Sequence, residues 1–136
     1  MKKVNLKKLF KSSIFALFIL LLINILNTPF SKGISPNEIN GSLTLFFFNA
    51  ATYGAFLEEV IFRFCMIDPQ ANKKQQYISI LISSFLFSIV HGGGLSIFFI
   101  GIILSFVYIQ TKNIWYSVVT HGIYNAIGIL IYLISI

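Results

Sequence analysis

Six polar side chains stand out in this apolar chain because their types suit proton transfer or metal binding. Glu58, Glu59 and Arg63 lie within residues 53–67, YGAFLEEVIFRFCMI, a run that otherwise belongs in lipid. His91, His121 and Asn125 fall in later apolar runs. An ionisable residue at the centre of a membrane helix costs about 2.5–3.5 kcal/mol on insertion scales, so the first three ask for roughly 8–10 kcal/mol before pairing. A cluster at that cost is by default a functional-site hypothesis. Glu59 and Arg63 are spaced i, i+4, which suits an ion pair that cancels both charges. Glu58 is rotated about 100° from Glu59 on an ideal helix, so the spacing leaves it as the carboxylate without the arginine. His121 and Asn125 are again i, i+4 and share one helix face.

The elements that must hold these groups are membrane helices. The chain has 136 residues, 57% of them hydrophobic and 10% charged, with a mean hydropathy of +0.86. That is too apolar for a soluble domain of this size, so the fold class is an all-α polytopic membrane helix bundle. The net charge of +6 is concentrated in short segments flanking apolar runs. This pattern predicts anionic lipid as the partner of the basic residues and no nucleic-acid partner. The single cysteine, Cys65, cannot form an internal disulfide.

Residues 1–11 carry five lysines and precede an apolar run, as in a signal peptide, but no small-residue cleavage site follows. The reading is a retained first helix over 9–26. A Pro- and Gly-containing loop over 27–41 separates it from four further apolar runs at 42–67, 77–91, 95–110 and 114–136. Asp68-Pro69 ends the first of these, since proline cannot continue the hydrogen-bond ladder. Gly92-Gly93-Gly94 ends the next. The predicted organisation is an N-terminal helix and loop at 1–41 and a four-helix core at 42–136, about five spans in all. Lys2, Lys3, Lys7, Lys8, Lys11, Lys73, Lys74 and Lys112 would share one side and Lys32 the other, which puts the N-terminus in the cytoplasm. Trp115 and Tyr116 fit an interfacial belt, Tyr108, Tyr116, Tyr124 and Tyr132 packing positions, and Gly101, Gly122 and Gly128 sites of close helix approach. At 1.5 Å per residue, Glu58 and His121 both lie about 12–13 Å from the cytoplasmic ends of their helices, whereas His91 comes out about 21 Å from Tyr77. That mismatch is the weak joint of the constellation.

Three short motifs then resemble one family. Glu58-Glu59-Val60-Ile61-Phe62-Arg63 is similar to the EExxxR motif of the CAAX-protease and bacteriocin-processing family, also called Abi proteins. Phe87-Ser88-Ile89-Val90-His91 is similar to its FxxxH motif, and His121-Gly122-Ile123-Tyr124-Asn125 to its HxxxN motif. Resemblance extends over about 43–132, including Phe98, Gly101, Tyr108, Thr111 and Trp115. Phe64 departs from the glycine common after the arginine, and many members carry additional helices. The resemblance implies a glutamate-type intramembrane endopeptidase without a cofactor, acting on a peptide or membrane protein. Glu58 and His91 would activate water, His121 and Asn125 would stabilise the oxyanion, and Glu59 with Arg63 would brace the helix. It also suggests a multi-pass protein of a bacterial cell membrane, in peptide maturation or bacteriocin immunity.

Rival chemistries can be weighed on the residues. Glu58, His91 and His121 make a plausible first shell for zinc, although the H-E-x-x-H helix of intramembrane metalloproteases is absent. No G-x-S-x-G elbow supports a serine nucleophile, Asp68 is the only aspartate, and Cys65 has no basic neighbour except Arg63. A proton-coupled transporter would use the same groups as a relay, but inverted repeats are missing. A catalytically silent immunity or scaffold protein of the same fold is the other alternative. Read as structure alone, Glu59–Arg63 is an ion pair beside one protonated carboxyl, and His121 with Asn125 is interhelical glue.

Overall fold

A computed structural model of the chain describes residues 49–134 together with Ile14, Ala16 and Ile19. The expected first helix, apart from those three residues, and the expected second span before Asn49 lie outside the described residues. The described elements are all helical, in the order π1 (Asn49–Gly54), α1 (Ala55–Glu59), π2 (Val60–Phe64), α2 (Lys73–Val90), α3 (Leu95–Thr111) and α4 (Ile114–Ile134). Of these, α4 holds a stretch long and apolar enough to cross a membrane, Ile114–Ile131, and α3 is apolar but shorter.

The helix carrying the glutamates is not a plain α-helix, and it ends at Phe64 rather than at residue 67. One α turn with both glutamates sits between two π segments, a geometry frequent at functional sites. The return from π to α spacing has a visible cost. Cys65 N–H bonds the Val60 carbonyl five residues back, while Ile67 N–H bonds Arg63 only four back. The Phe62 carbonyl passed over in this switch accepts the Ser83 hydroxyl of α2 instead. A buried carbonyl left unmatched would cost about 1–3 kcal/mol, so Ser83 pins α2 to this point.

Helix α2 begins four residues earlier than expected because Asn72 caps it. The Asn72 side chain accepts the Gln75 N–H at 3.0 Å and donates to the Gln75 side chain at 2.9 Å, a reciprocal cap of the kind that starts helices. The far end is set by glycine. Gly92 and Gly93 take φ of 87° and 71°, with Gly93 N–H bonded to Ser88 O at 2.8 Å and Gly92 N–H to Ile89 O at 3.1 Å. This is a Schellman ending, and it makes His91 the C-cap of the helix. Gly94 then opens α3.

The faces of α2 are inverted relative to a soluble helix. Ser83, Ser84 and Ser88 are buried with Ile80 and Phe87, while Leu81, Ile82, Phe85, Leu86 and Ile89 are exposed. Small residues inside and bulky apolar ones outside is how helices pack in lipid, where close backbone approach rather than water exclusion drives association. The contact with α3 illustrates it: a Cβ on Gly101 would come within 3.0 Å of the Ser84 backbone. A Cβ on Gly122 would lie 2.4 Å from the Ala51 carbonyl, so α4 and π1 touch through that glycine. Gly128 differs from both: a Cβ there would meet no atom of the described residues within 4 Å. Tyr116 also departs from its expected belt position. It is 3% exposed and packs with Val107 and Ala16, whereas Trp115 stays outside and stacks on Phe56 at 5.7 Å. The core that supports the site is Phe62, Phe87, Ile100 and Leu104.

Candidate active site

The turn Ala55–Glu59 points its two carboxylates to different places. Glu59 is fully buried, and so is Arg63 one turn on. Arg63 Nε lies 3.4 Å from Glu59 Oε2, the pair expected from their spacing. Glu59 has two further partners: the Ser117 hydroxyl donates to Oε2, and His121 Nδ1 lies 2.9 Å from Oε1. A carboxylate only accepts, so Nδ1 carries the proton and His121 presents Nε2 on its other edge.

The remaining guanidinium nitrogens of Arg63 have no hydrogen-bond partner among the described residues. They are covered by aromatic faces, with the guanidinium carbon 4.8 Å from the Phe87 ring centre and 6.0 Å from that of Phe62. Cation–π contact of this kind contributes about 0.5–2 kcal/mol, more when desolvated. Phe87 meets Phe62 edge-on at 5.4 Å. It also touches both imidazoles, at 4.4 Å for His91 and 5.8 Å for His121. It is therefore a wedge between the buried cation and the histidines.

Glu58 faces the other way. Its Oε2 lies 3.4 Å from His91 Nε2 and 3.7 Å from His121 Nε2. His91 Nδ1 donates to the Phe87 carbonyl at 2.8 Å, so both imidazoles use Nδ1 for orientation and turn Nε2 toward Glu58. The side chains of Glu58 and His91 are 29% and 32% exposed, against 4% for His121. These groups and Asn125 line a cavity of about 390 Å³ that continues past Phe87, Ile97 and Ile100 to Tyr124, Gly128 and Ile129. All six residues singled out in the sequence thus lie together.

The expected depth conflict at His91 narrows to about 6 Å along the helix axes, a gap that the Glu58 and His91 side chains bridge, their polar atoms lying 3.4 Å apart. Phe62 and Ser83 are level, because they are hydrogen-bonded. From Ser83 to His91 is about 12 Å along α2, and Lys73 lies about 15 Å beyond Ser83 in the opposite direction. The start of α2 therefore overshoots the end of π2, while Glu58 lies about 6 Å from Phe62 along its own helix.

Residues 40–127, about two thirds of the chain, match the family model described as Type II CAAX prenyl endopeptidase Rce1-like. The chain belongs to this family. Comparisons with curated proteins and with solved structures gave no significant match. At the level of the Rce1-like family this is a CAAX-protease-like membrane peptidase fold, and all three motifs lie inside the matched residues. Two further residues stand beside this cluster, Ser117 on Glu59 and Gly128 in the cavity wall. Ser117 lies four residues before His121, so the i, i+4 rule that linked His121 to Asn125 also points back to it. Gly128 lies seven after His121 on the same stripe. Neither residue type signals a site by itself.

Proposed function

We propose that the chain is an intramembrane endopeptidase in which Glu58 and His91 activate water for attack on a peptide carbonyl. The observation that carries this reading is the convergence of the two histidine Nε2 atoms on the buried Oε2 of the partly exposed Glu58 side chain. Water held between Glu58 and His91 adds through its oxygen to the carbonyl carbon while Glu58 takes its proton. The oxyanion is met by donors from the Asn125 amide and from His121 in its protonated form, whose positive charge Glu59 offsets. As the C–N bond breaks, the proton on Glu58 passes to the leaving nitrogen. Arg63 keeps Glu59 ionised and fixed, so Glu59 can hold His121. The substrate is a peptide or membrane protein reached from the cytoplasmic side of a multi-pass bacterial cell-membrane protein, with peptide maturation or bacteriocin immunity as the setting.

Full-length chain reconstituted in liposomes and given a peptide library is expected to release fragments, and Glu58→Gln to abolish release. Activity in cells that survives Glu58→Ala, with no hydrolysis in vitro, would instead identify a silent immunity or scaffold protein.

A second reading is zinc-dependent hydrolysis at Glu58, His91 and His121. The donor set favours it: two imidazoles oriented through Nδ1 and one carboxylate are ordinary zinc ligands. As the side chains stand, no group of three or more His, Cys, Asp or Glu among the described residues forms a metal cluster, so the three donors would have to draw together. Zinc would supply a polarised water. Metal independence is the proposal preferred here because Glu58 and His91 suffice to activate water. Hydrolysis that persists after exhaustive chelation supports it, and loss restored by Zn²⁺ alone overturns it.

A further inference from the structure

We infer that Gly128 sets the size limit of an apolar subsite that receives a substrate side chain next to the cleaved bond. The inference rests on the peptidase reading above and adds a specificity determinant to it. On α4, His121, Asn125 and Gly128 follow at steps of four and three, with Ile129 one further, so the helix face that carries the reacting groups runs straight on into the cavity wall. From His121 to Ile129 is about 12 Å along the helix. The wall opposite is Ile97 and Ile100 of α3, and among the described residues no charged one lines this end. A charged side chain entering here would be desolvated without a partner, whereas a leucine or phenylalanine would trade water for isoleucine contacts.

The glycine itself is the unexplained part. Glycine inside a helix costs about 0.5–1 kcal/mol relative to alanine. Gly101 and Gly122 offset that cost by letting backbones approach, since a Cβ on either would meet a neighbour at 3.0 Å or less. At Gly128 a Cβ meets no atom of the described residues within 4 Å. Space rather than contact is what the missing side chain provides, and that space belongs to the cavity shared with Glu58. At about 390 Å³ the cavity is near the small end for ligand pockets, which suits one bulky side chain beside the scissile bond rather than a long chain.

The test is a bump at the glycine. The full-length chain, its Gly128→Ala and its Gly128→Leu variants are reconstituted and assayed with quenched peptides identical except for Ala, Leu, Phe or Asp at the position flanking the cleaved bond. The parent chain is expected to favour Leu and Phe over Ala by about tenfold or more in kcat/KM, with Asp the poorest. Gly128→Leu should lose at least about tenfold on Leu and Phe while keeping the Ala peptide within about threefold, and Gly128→Ala should fall between. Size preferences identical in all three proteins, or an equal loss on every peptide with thermal stability unchanged, would overturn the inference and leave the peptidase reading intact. If the parent chain cleaves none of the peptides, the peptidase reading fails, and Gly128→Cys in a Cys65→Ser background still decides the subsite. Thiol labelling slowed by the Leu peptide but not the Ala peptide supports it, and equal labelling refutes it.

Discussion

Glu58 and Glu59 are neighbours in sequence, yet one side chain is partly exposed and the other is sealed. Around Glu59 every direction is closed: Arg63, Ser117 and His121 hold the carboxylate, and aromatic rings cap the guanidinium. Around Glu58 two imidazole edges face a cavity, and almost a third of the side chain is open. The comparison teaches how one α turn between two π segments divides labour. The sealed side provides fixed charge and orientation, which a low-dielectric interior strengthens. In the proposed mechanism the open side keeps a proton acceptor at the cavity.

That division can be broken from either side. Replacing Glu58 by Gln is expected to lower kcat by about 10²–10⁴-fold with little change in melting temperature, read by turnover and thermal denaturation of the same preparation. A strongly destabilised Glu58→Gln protein would contradict the division. Arg63→Ala should act in the opposite way, leaving Glu59 buried and unpaired at a cost of about 3–5 kcal/mol, seen as lost expression or a lower denaturation midpoint. Asn125→Ala is expected to lower kcat by about 10²–10³-fold with KM nearly unchanged, since the amide would act on the oxyanion rather than on bound substrate. Ser117→Ala sharpens the comparison. It removes a hydrogen bond to a buried carboxylate worth about 1.5–3 kcal/mol, so both stability and activity should fall modestly and together. The smallest contrast is between glycines. Gly122→Ala must push the Ala51 carbonyl aside and should destabilise, while Gly128→Ala should leave stability unchanged or raise it by up to about 1 kcal/mol.

The sequence made the polar cluster legible because charge in an apolar run is expensive and so conspicuous. It also carried the triple-glycine stop, which acts through local backbone chemistry, whereas the helix expected to run to Asp68-Pro69 already ends at Phe64. The pair Glu59–Arg63 followed from helical spacing. What stayed hidden depends on tertiary contact. Tyr116 looked like a belt residue because an aromatic beside a helix start has no mark of burial. The π segments left no periodicity that a short apolar run could reveal. Gly128 was read with Gly101 and Gly122, although only the position of neighbouring helices separates a glycine that is pressed from one that is open.

The passed-over Phe62 carbonyl has a consequence for comparing this chain with others of its kind. A π segment differs from an α-helix by one residue, so Val60–Phe64 is a place where the chain can lose a residue without losing its helix. A shortened chain would close its own ladder, reclaim the carbonyl, and leave a hydroxyl at position 83 with nothing to bind. A one-residue gap between the second glutamate and the Asp-Pro stop should therefore travel with loss of the serine twenty-one positions beyond Phe62. The two changes form a single event, written in two distant columns of an alignment.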